Sequence, residues 1–190
     1  MPIEQTSSLA EWLEQEQTTN ARRTLGPGPG VASQTQTSGK SGLEVLQAML
    51  DGEIPCAPMA KTLNYTLISV EPGKAIFQGT PSLNLLNSIG TVHGGWYATL
   101  LDSAMGCAVY TLIPTGYGYT TAELSVNLVR SVSLNVLRVR AEGTVIHCGR
   151  KLATAEARLI GPDGMLYAHA TTTCLVLRAV DATEAVSERS

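Results

Sequence analysis

Asn87, His93-Gly94-Gly95 and Asp102 stand within one short and otherwise apolar stretch, N-SIGTV-HGG-WYATLL-D. The stretch WYATLLDSAMGCAVYTLI reads as a helix of about five turns, long enough and free of internal proline. The two glycines lie at its entrance, where backbone N–H groups lack intrahelical partners and the dipole end is positive. Such a terminus can polarise a carbonyl oxygen or hold an anion. Two turns on, one carboxylate interrupts the apolar run. An unpaired buried carboxylate costs several kcal/mol, so it asks for a reason.

Distance constrains that chemistry. At about 1.5 Å rise per residue, Gly94 and Asp102 stand roughly 12 Å apart along one helix. A general base or nucleophile, and an oxyanion donor, must each come within about 3 Å of the reacting centre. One chain therefore cannot place both on the same carbonyl. Two copies of the helix lying antiparallel across a twofold axis can, so cooperation between these residues requires at least a dimer. The plainer alternative is also open. HGG can be a tight turn whose glycines serve backbone conformation, and Asp102 can be satisfied by Ser103 or Thr99.

The elements around this stretch alternate. Residues 1–42 are expected to be a flexible arm and linker: LAEWLEQEQ can form a short helix, but TLGPGPGVASQTQTSGKSG has no apolar periodicity. LEVLQAML has helical spacing and ends at Asp51-Gly52, with Pro55 and Pro58 closing it. LNYTLISVEPGKAIFQGTP predicts a hairpin turning at Glu71-Pro72-Gly73-Lys74. The loop LNLLNSIGTV leads into the long helix, which should stop at Pro114-Thr115-Gly116. Four strands with period-2 patterning follow, in TTAELSVNLVR, VLRVRAEGTVIH, RKLATAEARLI and MLYAHATTTCLVL. Their one-sided alternation predicts an antiparallel sheet with one packed and one wet face. Arg138, Arg140 and Arg158 fall on the wet side, and the small residues of 153–157 leave room for a close neighbour. The fold class is α+β, β-β-α-β-β-β-β, over residues 43–178, with a fraying tail at 179–190.

Composition narrows the function. The 190 residues carry a net charge of −3 and only 15% charged side chains, which leaves no basic field for nucleic acid and no polybasic membrane patch. The run from Gly95 to Ile113 approaches membrane-spanning length, but Asp102 at its middle and the lack of flanking Lys or Arg favour a buried helix. The four cysteines, Cys56, Cys107, Cys148 and Cys174, show no C-x-x-C pair and no clustered histidines. They read as small buried hydrophobes in a reducing compartment rather than metal ligands or disulfides. The acidic, polar N-terminus has no secretory pattern, and the expected location is the cytoplasm.

The element order together with N-x5-HGG-x6-D resembles the hotdog-fold acyl-CoA thioesterases. The likeness is to the branch of phenylacetate-degradation and Arthrobacter-type 4-hydroxybenzoyl-CoA thioesterases, and covers roughly residues 43–178. It implies hydrolysis of an acyl-CoA to an acid and free CoA, with no cofactor and no metal, since coenzyme A belongs to the substrate. By the same resemblance, Asp102 is the base or nucleophile and the Gly94 N–H polarises the carbonyl. His93 shapes the loop, with Gly95 beside it, and the Asn87 amide helps hold the carbonyl or a water. Thr121 on the following strand matches the hydroxyl that helps hold that water. Thr120 is the alternative register, and alternation favours Thr121 on a face with Glu123, Ser125 and Asn127. Gly149-Arg150-Lys151 matches the segment that contacts the nucleotide end, with Arg130 a weaker candidate. The family builds each site across a dimer interface, and its dimers often pair into tetramers.

His147 and His169 read as structural or surface residues. Trp96, Tyr97, Met105 and Tyr110 read as core or interface, and Tyr117 and Tyr119 as minor candidates for contact with an aromatic acyl group. Two other functions compete. A hotdog dehydratase or hydratase needs a His paired with an acid in motifs that do not occur here. A non-catalytic acyl-CoA sensor would lose the acid and carry a DNA-binding helix pair before the domain, whereas this chain keeps Asp102 and has an acidic, Gly/Pro-rich start.

Overall fold

The computed structural model describes residues 9–178. The expected tail at 179–190 and the first eight residues lie outside the described residues. The chain runs α1 (Leu9–Thr24), α2 (Gln34–Thr37), α3 (Gly42–Leu50), α4 (Pro58–Thr62), β1 (Tyr65–Glu71), β2 (Lys74–Gly79), α5 (Gly94–Tyr110), β3 (Tyr117–Leu128), β4 (Val139–Cys148), β5 (Leu152–Ile160) and β6 (Leu166–Arg178). All six strands join one antiparallel sheet in the order β1-β2-β4-β5-β6-β3. The expected order of one long helix between a hairpin and four strands is observed. It is an α+β hotdog fold.

Helix α5 is held in the curve of this sheet, and small side chains set how close it comes. Ala153, Ala155 and Ala157 of β5 are buried beneath it. A Cβ on Gly143 of β4 would lie 2.4 Å from the Ala104 carbonyl oxygen, so only glycine lets the helix backbone approach there. Leu100, Leu101, Ala104, Met105, Ala108 and Val109 of α5 are fully buried against the sheet. Among the described residues, no helix is long and apolar enough to cross a membrane.

The N-terminal segment departs from the expected flexible arm. Helix α1 lies on the outer face of β1, β2 and β4, with Trp12 only 3% exposed. The Arg140 guanidinium stacks over the Trp12 ring at 4.4 Å, and Arg140 is 4% exposed. Its Nε donates to Gln78 Oε1 at 2.8 Å, and its Nη2 to Gln15 Oε1 at 2.8 Å. Arg138 pairs with Glu16 at 2.7 Å. Arg138 and Arg140 are therefore not on a wet surface, whereas Arg158 is exposed. Strand alternation identified the outer face correctly, but alternation carries no information about a helix that later covers it. The burial removes water from Arg140 and pushes its pKa down to about 10.

Two short helices also differ from expectation. Helix α2 begins at a capping box of Ser33 and Gln36 inside the segment read as linker. Helix α4 starts with Pro58 at its first turn, where the missing N–H has no intrahelical role. The Ser41–Glu44 capping box starts α3, and hydrogen bonds from Ser41 N–H and Oγ hold the Glu44 carboxyl below its usual pKa.

Candidate active site

The loop before α5 is built by Asn87. Its Oδ1 accepts from the N–H of Ile89 at 3.1 Å and of Thr91 at 3.0 Å, and its Nδ2 donates to Thr91 Oγ1 at 2.8 Å. The Asn87 N–H also bonds the Thr91 carbonyl at 2.8 Å, closing a tight bend. In this single chain Asn87 thus organises its own loop, with its side chain aimed at residues 89–91.

His93 is the N-cap of α5, and its Nδ1 accepts the Gly95 N–H at 2.9 Å. An imidazole serves here in place of the usual hydroxyl or carboxylate cap. A Cβ on Gly95 would press to 3.0 Å from His93 Nδ1, and one on Gly94 to 2.8 Å from Leu128 Cδ1. Neither glycine has a positive φ. Gly95 is kept small by the His93 ring that caps the helix, whereas at Gly94 only the end of the exposed Leu128 side chain stands in the way and can move aside. With Gly95 engaged by His93, the Gly94 N–H has no acceptor among the described residues. It stands at the positive end of a 17-residue helix.

Asp102 is half-buried, and its Oδ1 accepts from Thr121 Oγ1 at 3.0 Å. Neither Ser103 nor Thr99 serves it: Ser103 Oγ reaches Tyr65 Oη at 3.3 Å, and Thr99 donates to the Gly95 carbonyl at 2.9 Å. Thr121 reaches the acid for a reason that alternation missed. A bulge between Thr121 and Glu123 shifts the register, so Thr121 opposes buried Cys174 while Glu123 opposes Thr173. Thr121 therefore faces inward with the apolar side of β3, not outward with Glu123, Ser125 and Asn127. Thr120, opposite Leu175, is on the outer face.

Asp102 opens onto a cavity of about 210 Å³ whose apolar walls include Leu46, Leu67 and Phe77. Ser103, Tyr65, Tyr119 and Cys107 add polar groups to it. Burial, with the Asp102 charge adding to it, pushes the Cys107 thiol up to about 12. It is a thiol at neutral pH and a poor nucleophile. Burial also raises Tyr119 well above the usual tyrosine range, so it is a neutral hydroxyl. Sequence reasoning held Tyr119 as a minor candidate and did not pick out Tyr65, Cys107 or Arg23, which also lines the cavity. Tyr117 is elsewhere, beneath the Arg178 guanidinium at 5.9 Å.

The cationic candidates are split between the two ends of α5. Arg130 follows Leu128, the residue against Gly94, and donates to the Leu166 carbonyl at 3.3 Å. Arg150 lines a groove with Leu112, Pro114 and Tyr117, beyond the other end of the helix, and Lys151 is exposed beside it. A helix of this length separates them by roughly 25 Å within one chain. His147 and His169 are exposed, while Trp96, Tyr97 and Met105 are core. Among the described residues, no group of His, Cys, Asp and Glu could hold a metal ion.

Comparison with known proteins converges on the same segment. Residues 89–168 match the family model of the thioesterase superfamily. A thioesterase family protein from Silicibacter pomeroyi is similar at 27% identity and a TM-score of 0.60, over 64% of this chain and 90% of that one. A phenylacetic acid degradation-related protein from Ralstonia eutropha is similar at 27% identity and a TM-score of 0.62, over 68% of this chain and 97% of that one. A mutant form of the phenylacetic acid degradation protein PaaI from Thermus thermophilus is similar at 26% identity and a TM-score of 0.56, over 62% and 97%. No curated protein sequence matches. The family match begins two residues after Asn87 and spans both the HGG bend and Asp102, so this segment is similar to the thioesterase superfamily, in keeping with the hotdog fold.

Proposed function

We propose that this protein hydrolyses an acyl-CoA or aryl-CoA thioester in the cytoplasm, without a cofactor, as a homodimer or a homotetramer built from such dimers. Asp102 is the base or the nucleophile, and the Gly94 N–H of the partner subunit polarises the thioester carbonyl. The observation that carries this reading is the Asp102 carboxylate, held by one hydroxyl and open to an apolar cavity. Its Oδ2 has no hydrogen-bond partner among the described residues, so one oxygen is available to attack carbon or to take a proton from water.

The reaction adds a water oxygen to the acyl carbon, breaks the C–S bond and returns the proton to the CoA sulfur. Negative charge develops on the carbonyl oxygen, and the unpaired Gly94 amide at the helix start suits it. Because Gly94 and Asp102 of one chain are too far apart, each site takes one from each protomer. His93 keeps the bend rigid by occupying the Gly95 amide. Asn87 shapes the loop that delivers His93 and reaches substrate or water only through the dimer. Antiparallel pairing of α5 also sets the Arg150–Lys151 end of one protomer beside the HGG end of its partner. Arg150, Lys151 and Arg130 then serve the CoA phosphates.

The test is a steady-state assay of acyl-CoA hydrolysis with wild type, Asp102→Ala and Asp102→Asn. A positioned base contributes about 10²–10⁴ in rate, so turnover should fall at least about a hundredfold while the fold and the oligomer persist. Unchanged turnover in either variant removes Asp102 from the mechanism.

A further inference from the structure

The cavity beside Asp102 contains a second ionisable side chain, and it comes from outside the segment that matches the family. Arg23 lies in the last turn of α1, well before residues 89–168. Its side chain passes the edge strand β1, where Nη1 donates to Thr66 Oγ1 and Nη2 to the Leu67 carbonyl at 3.1 Å. A guanidinium has five N–H donors, so these bonds leave most of them over. Nε is buried and has no acceptor.

No carboxylate is paired with Arg23 among the described residues; the arginines in ion pairs there are Arg22, with Asp51, and Arg138, with Glu16. Loss of water lowers the Arg23 pKa, and the neighbouring Cys56 offsets this only in part. Arg23 is half-buried, and the part of its guanidinium that is shut off from water, Nε, has no acceptor, an arrangement that is unfavourable unless something supplies one. The same cavity has Asp102 on the α5 wall and Arg23 on the β1 wall, with Leu46, Leu67 and Phe77 among the residues lining it. Its 210 Å³ corresponds to about seven water-sized groups at roughly 30 Å³ each. A four- or five-carbon acyl group ending in a carboxylate is about that size.

We infer that Arg23 determines acyl specificity: it receives a terminal carboxylate, so the enzyme favours ω-carboxyacyl-CoA thioesters over uncharged acyl chains of equal length. This rests on the thioesterase reading. The carboxylate completes the fork of donors that Thr66 and Leu67 leave unfilled, and the thioester at the other end of the acyl group meets Asp102. A neutral hydroxyl or methyl terminus would leave the guanidinium without its counter-charge.

The experiment compares kcat/KM for succinyl-CoA against butyryl-CoA and for glutaryl-CoA against valeryl-CoA, in the full-length oligomer. A charged hydrogen bond of this type supports a preference of about tenfold or more for the carboxylated member of each pair. Arg23→Gln should bring both ratios near one, and Arg23→Lys should keep part of the preference, since a point charge replaces the fork. A wild-type ratio near one overturns the inference even if no variant folds. So does an Arg23→Gln enzyme in which both members of a pair slow equally, since that is the mark of a purely structural role. Hydrolysis of butyryl-CoA with no carboxylate preference leaves the thioesterase reading standing. No turnover of any of the four thioesters overturns the inference, and the thioesterase reading, which also covers aryl-CoA, falls with it only if phenylacetyl-CoA is left intact as well.

Discussion

Thr121 on β3 donates its hydroxyl to Asp102 Oδ1 on α5 at 3.0 Å, across 19 residues of sequence, and a β-bulge makes the contact possible. One carboxylate oxygen is thereby fixed while the other is left to the cavity.

Thr121→Val keeps the shape of the side chain and removes the donor. A hydrogen bond to a charged group contributes about 1.5–3 kcal/mol, so kcat should fall roughly ten- to a hundredfold, less than for Asp102→Asn. Thr121→Ser should recover most of the loss. Wild-type kinetics for the valine variant would show that Asp102 needs no such anchor.

A shared site predicts complementation. His93 has φ −64° and ψ 133°, a conformation that suits a following proline, and Gly94 is the first residue of the helix, where proline is tolerated. Gly94→Pro thus removes the amide with little disturbance to the helix. Mixed with Asp102→Ala subunits, random pairing yields up to about a quarter of wild-type activity, because half of the sites in each heterodimer are intact. Heterodimers that form and stay inactive would place both groups in one protomer's site, or neither in any.

Trp12→Ala tests whether α1 is part of the folded unit. Removing a buried tryptophan costs about 3–5 kcal/mol, and here it also uncovers the Arg140 guanidinium stacked on it. A clear fall in melting temperature is expected, with faster proteolysis within 9–24. A melting curve like that of wild type would mean the helix contributes little to stability.

Cys107 should respond to alkali. Its thiol is raised from 9.0 to about 12 in the folded protein, so folding retains its proton. The stability this contributes is complete below about pH 9 and is lost as pH rises toward about 12. Thermal melts between about pH 8 and 11 should fall less steeply for Cys107→Ala than for wild type. At about pH 8 the native thiol should resist iodoacetamide, whereas rapid alkylation would show an accessible thiolate.

The chain's periodicities were sufficient for the architecture. Alternation marks the faces of β4 and β5, and an uninterrupted apolar run with one acid marks α5, because these patterns are local and repeat within a few residues. HGG and Asp102 were legible for the same reason: they lie on one element and their separation follows from helix rise alone. What only the tertiary structure decided depends on contacts between distant segments. The bulge at 121–123 reverses the face that strict alternation assigns to Thr121. The segment read as a flexible arm docks through Trp12, Glu16 and Arg23, whose partners Arg140, Arg138 and Thr66 lie 43 to 128 residues further along the chain. No spacing rule links side chains that far apart, so the covering of the outer sheet face and the cation in the cavity beside Asp102 emerge only when packing brings α1 onto the sheet.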